Sequence, residues 1–89
     1  MNGTHEAMLG DTREQVYEVL LEIMPALGRA GIDETRHLKY LGADSVDRVE
    51  IIMALINRFS LRVGMSVFSD VPDVGALIGL VASLRRQAA

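Results

Sequence analysis

The sequence predicts a small all-α protein, and three observations carry that prediction. Apolar residues recur at three- and four-residue spacing in three separate segments. No stretch alternates apolar and polar residues as a half-buried strand would. Hydrophobic residues make up 49% of the 89 residues, enough for a core, while aromatics are only 4% and Trp is absent. The core must therefore be aliphatic. A chain of this length makes one domain with one modest core.

Residues 1–10 are polar, glycine-containing and aperiodic, and are expected to form a flexible N-terminal tail ahead of a domain spanning residues 11–89. The first helix is expected to start at Asp11, where Glu14 three residues on completes a capping-box pattern. Val16, Val19, Leu20, Ile23 and Leu27 form its inward stripe, Glu14, Glu18 and Glu22 a solvated face, and Pro25 and Gly28 its end. A long first loop follows over residues 28–43, with Ile32, Leu38, Tyr40 and Leu41 as apolar pins. So long a connection in a small domain must pack through such residues or carry function.

The second helix opens near Asp44 and Ser45 and runs to about Phe59. Residues 65–70 allow a single short turn. Asp70 and Pro72 read as cap and first turn of the last helix, whose inward residues are Val74, Leu77, Ile78, Val81 and Leu84. Gly75 and Gly79 lie four apart, a spacing that admits close approach of another helix. Arg85 and Arg86 suit a helix C-terminus.

Composition excludes several classes of function. Nine basic against twelve acidic residues give a net charge of −3, which lacks the basic footprint that nucleic acid requires. The absence of cysteine removes disulfides, thiolate metal sites and thiol nucleophiles. His5 and His37 have no ligand-spaced partners, so no metal site is expected. The sequon at Asn2-Gly3-Thr4 is read as chance, because no signal peptide accompanies it. No apolar run reaches the ~20 residues that cross a bilayer. The expectation is a cytoplasmic monomer with neither nucleic acid nor membrane as partner. Met8, Met24 and Met65 read as packing residues.

The second helix is the most informative segment. At 100° per residue, Ile51, Leu55 and Phe59 make a core stripe. Ser45, Val49, Ile52 and Ile56 make an adjoining stripe, with Met53 just beyond. An apolar arc this wide belongs either to a central helix covered on two sides or to one presenting a docking face beside Ser45. A helix N-terminus suits a phosphate, yet an Asp-Ser pair at that place serves equally well as a simple cap.

The longer string Leu41-Gly42-Ala43-Asp44-Ser45-Val46-Asp47-Arg48-Val49-Glu50-Ile51 resembles the attachment motif of acyl carrier proteins. The resemblance extends over residues 11–86, through the long first loop, the short third helix and the Val71-Pro72-Asp73-Val74 lead into the last helix. It implies an acyl-carrier-type four-helix bundle with three main helices, one short third helix and a long first loop. It further implies that a phosphopantetheinyl transferase attaches 4'-phosphopantetheine from coenzyme A to Ser45. The thiol of that arm holds acyl groups as thioesters, and the protein itself is not an enzyme. No base pairs with Ser45 in sequence terms, in keeping with that role.

Val46 stands where the family favours Leu, and Arg48 and Arg58 dilute the acidity usual in the second helix. The string from Asp44 to Ile52, with Phe59-Ser60-Leu61, looks most like the free-standing carriers of polyketide β-branching cassettes. Such carriers take acetyl, made by decarboxylating a malonyl group, and donate it to a hydroxymethylglutaryl-synthase-like enzyme. An acyltransferase or decarboxylase and a ketosynthase are the other implied partners. Asp44 and Asp47 are the residues expected to meet the transferase. Val46, Arg48, Val49, Glu50, Met53 and Ile56 are candidate partner contacts. A fatty-acid, starter-unit or aminoacyl carrier is the alternative within the class. A helical interaction module without an arm is the alternative outside it.

Overall fold

The computed structural model describes residues 2–88, and their side chains from Glu6 onward. Three α-helices pack around one aliphatic core: α1 (Asn2–Ile23), α2 (Ser45–Arg58) and α3 (Val74–Ala88). Among the described residues there is no strand. The short third helix of the expected bundle is one 3-10 turn, Met65–Phe68, so the described residues hold three α-helices and not four.

The core is as aliphatic as the composition requires. Val16, Val19 and Leu20 of α1 meet Ile51 and Leu55 of α2 and Val74, Leu77, Ile78 and Val81 of α3. Phe68 brings the 3-10 turn into the same cluster.

Helix α1 departs from expectation at its start. It begins at Asn2, not at Asp11, so residues 2–10 continue the helix. Glu6, Ala7, Met8 and Leu9 are strong helix formers, and Leu9 packs against the core. Asp11 therefore caps nothing. It lies inside the helix, where its carboxylate accepts from Gln15 Nε2 (3.2 Å) and Arg85 Nη1 (2.9 Å). Arg85 also donates to the buried Thr12 hydroxyl (2.9 Å) and lies over the Phe59 ring, 4.4 Å from its centroid. Met1, the side chains of the Asn2-Gly3-Thr4 sequon and His5 lie outside the described residues. The acids of α1 are exposed but not merely solvated. Glu14 pairs with Arg29, and Glu18 and Glu22 pair with Arg58 at the far end of α2.

The first loop packs through 3-10 turns at Pro25–Leu27, Arg29–Gly31 and Leu38–Leu41. Ile32, Leu38 and Ala43 are buried as its pins. Tyr40 is not a pin: it is exposed, with the Lys39 ammonium 5.0 Å from its ring centroid. Gly42 takes φ 104°, a left-handed conformation that lets its N–H close the turn before α2.

The loop is also stitched to α3. Gly75 N donates to Glu34 O (2.8 Å) and Val74 N to Arg36 O (3.1 Å), which satisfies first-turn amides of α3. A Cβ at Gly75 would stand 3.2 Å from Glu34 O. The close neighbour that Gly75 admits is thus loop backbone, not another helix. A Cβ at Gly79 would meet nothing within 4 Å. Helix α3 starts two residues later than Pro72 suggests. Asp73, not Asp70, is its cap, accepting from Ala76 N at 2.7 Å.

Candidate functional site

Helix α2 opens as its sequence dictates. Asp44 is the cap: Asp47 N donates to Asp44 Oδ1 (2.8 Å), and Asp44 N donates back to Asp47 Oδ2 (3.2 Å). This reciprocal box satisfies two main-chain donors. The cap is Asp44, and the Ser45 hydroxyl is free of the hydrogen bonds formed among the described residues. Ser45 is exposed at the first helical position, where helix geometry leaves amide groups unpaired and favours negative charge.

Around Ser45 the apolar arc of α2 divides. Ile51 and Leu55 are buried in the core, and Ile52 and Ile56 are half-buried against it. Val46, Val49 and Met53 are exposed, Val46 at 61%. The arc is thus part core and part exposed apolar surface. Of the candidate contacts, Ile56 is mostly committed to packing, while Val46, Val49, Glu50 and Met53 face outward. Arg58 leaves this surface for Glu18 and Glu22, so Arg48 is the cation that remains beside Ser45. Among the described residues Arg48 enters no ion pair.

Ser45 and Arg48 share a pocket of about 440 Å³ between α2, the Met65–Phe68 turn and the start of α3. Its apolar lining includes Leu38, Val49, Ile52, Phe68, Val71 and Leu77. Its polar lining includes His37, Ser69 and Asp73. His37 Nδ1 accepts from Lys39 N (3.1 Å), so this histidine is an N-cap of the loop's last 3-10 turn. No cluster of metal-ligating side chains occurs among the described residues.

Sequence reasoning reached the α2 side of this pocket and missed the other walls. Phe68, Val71 and Leu77 converge on Ser45 only through the fold. Met65, exposed on the Met65–Phe68 turn, also lines the pocket. Met65 had read as packing. Met24 does pack against the core.

An exposed, unengaged hydroxyl at a helix N-terminus beside an apolar pocket fits a covalently attached phosphate ester with an organic tail. Comparison with known proteins agrees. The family described as the phosphopantetheine attachment site matches residues 14–81. The chain is 35% identical over 69 residues to the polyketide biosynthesis acyl-carrier-protein AcpK of Bacillus subtilis (strain 168), covering 73% of this chain and 84% of that protein. No solved structure gives a significant match. Carriers of this family are non-catalytic, receive 4'-phosphopantetheine covalently from a phosphopantetheinyl transferase and present its thiol to biosynthetic enzymes. The chain belongs to this family: it is an acyl carrier protein.

Proposed function

We propose that this carrier serves polyketide assembly, that Ser45 bears its phosphopantetheine arm, and that it donates acetyl to a hydroxymethylglutaryl-synthase-like enzyme in β-branching. The observation that carries the attachment site is the exposed Ser45 hydroxyl, free of the Asp44–Asp47 box, at the mouth of an apolar pocket and inside the matched region. The arm supplies a thiol that holds acyl groups as thioesters. The chain's own part is to fix the attachment point and display the surface that partners read. Tethering raises the local concentration of acyl group at each partner's active site.

In this reading residues 11–89 are the carrier domain, acting as a cytoplasmic monomer. Asp44 and Asp47 are the contacts for the transferase. Val46, Arg48, Val49, Glu50, Met53 and Ile56 are the contacts for acyltransferase or decarboxylase, synthase and ketosynthase. Support for the polyketide setting comes from the similarity to AcpK. Support for the β-branching role comes from the α2 string, in which Arg48 stands free on the Ser45 face. Arg48 is the residue by which the synthase would tell donor from acceptor carriers.

Intact mass after incubation with coenzyme A and a broad-specificity phosphopantetheinyl transferase tests the attachment site. One phosphopantetheine adduct is expected, and none on Ser45→Ala. An adduct on the alanine variant would move the site elsewhere. Acetyl transfer from the loaded protein to a hydroxymethylglutaryl-synthase-like enzyme tests the pathway. Transfer to a ketosynthase alone would favour a starter-unit carrier.

A further inference from the structure

A phosphodiester on Ser45 enters a surface already rich in negative charge. The Asp44 and Asp47 carboxylates flank it, and each is held in place by a main-chain amide. Asp73, on the opposite wall of the pocket, is likewise tied to Ala76 N. The helix N-terminus offsets part of this repulsion. One full positive charge is at hand. Arg48 is the one arginine or lysine among the pocket-lining residues, and it enters no ion pair among the described residues. It lies three residues after Ser45, one helical turn along the same face, where side chains three apart are neighbours. Its guanidinium presents a planar fork that matches a phosphate. The other arginine of α2, Arg58, is spent on Glu18 and Glu22.

We propose that Arg48 pairs in cis with the phosphodiester carried by Ser45 and so directs the arm into the adjoining 440 Å³ pocket. The pocket volume falls within the range of roughly 300–1,000 Å³ usual for small-molecule sites. Its apolar lining suits the aliphatic part of the arm, and its polar lining at His37, Ser69 and Asp73 suits the amides. Arg48 is thus a positioning residue: it sets where the arm rests between partners. The proposal stands on Ser45 as the attachment site.

The test is NMR on the full chain before and after loading, with methyl groups and arginine side chains labelled and loading verified by intact mass. In the parent, loading is expected to shift the Arg48 Nε–Hε signal and the Val49, Ile52 and Leu77 methyls. Arg48→Gln, fully loaded, should lose most of the methyl shifts, Arg48→Lys should keep part of them, and high salt should move the parent towards the Gln variant. A merely structural Arg48 would alter apo and loaded spectra alike, without this difference between them. Full loading with the Arg48 signal unmoved, or with equal methyl shifts in Arg48→Gln, overturns the proposal and leaves Ser45 in place. Failure of the parent to load overturns the assignment of Ser45, and the proposal with it.

Discussion

Helix α2 has two apolar faces made of the same kinds of residue, and the fold treats them oppositely. Ile51 and Leu55 are sealed at 0% exposure, while Val46, Val49 and Met53 stand 61%, 45% and 49% exposed. Burial of a large aliphatic side chain contributes about 1.5–3 kcal/mol. The inner face collects that contribution on folding. The outer face forgoes it, and its apolar area stays available to whatever docks beside Ser45. Apolar character in α2 thus reports stability on one side and, in the function proposed above, recognition on the other.

The sharpest way to break this comparison is at its buried pole. Leu55→Ala leaves a cavity between α1, α2 and α3 and should cost about 3 kcal/mol. That is a large share of the roughly 4–13 kcal/mol expected of a domain this size. Urea titration followed by far-UV circular dichroism measures it. A loss below about 1 kcal/mol would mean that the inner face is not the centre of the core.

A smaller effect separates the inner face from the loop that shields it. Glu34 accepts from Tyr17 OH (2.6 Å) and Arg13 Nε (2.8 Å), fastening the first loop to α1, while its carbonyl oxygen accepts from Gly75 N. Partial burial pushes the Glu34 carboxyl up, but the Tyr17 hydroxyl and the Arg13 guanidinium outweigh it and hold the group below its ordinary 4.5. A depressed carboxylate stabilises the fold above its unfolded value, and this contribution is lost as pH falls through the folded value. Tyr17 behaves oppositely. Its bond to Glu34 raises it above 10.0, so its contribution holds below that value and is lost as pH rises further. Glu34→Gln should cost about 1 kcal/mol at neutral pH. It should also flatten the stability loss below pH 4.5 in a pH series of urea midpoints. An acid limb unchanged in the variant would place that sensitivity elsewhere, with Asp11 and Asp33, also depressed, as the next groups to examine.

How much of this was legible in sequence depended on whether the cause was local. Helix α2 and its inner stripe follow from spacing within a few residues, and the structure reproduces them; of the Asp44–Ser45 pair it is Asp44 that caps. The start of α1 does not follow. The Asp11–Glu14 pattern imitates a cap, while the helix formers Glu6, Ala7, Met8 and Leu9 carry α1 past it; the Asp11 carboxylate instead bonds Arg85, a partner distant in sequence. Gly75 and Gly79 looked alike, but loop backbone presses on the first and nothing on the second. The α2 wall of the pocket was readable. Phe68, Val71 and Leu77 join it only through tertiary packing.

The smallest expected change in stability belongs to the outer face, and it completes the comparison. Met53 lies two turns beyond Ser45 on the open side, at 49% exposure. Met53→Glu adds a charge to solvated surface, so urea midpoints should shift by less than about 0.5 kcal/mol. The same substitution places a carboxylate where an apolar partner contact is proposed, and transfer efficiency to that partner should fall about tenfold, as loss of a central interface contact does. Loading by the transferase should persist if its contacts centre on Asp44 and Asp47. Measured together, unchanged stability with impaired transfer would separate the open face from the sealed one. A stability loss comparable with that of Leu55→Ala would erase the distinction, because Met53 would then be core.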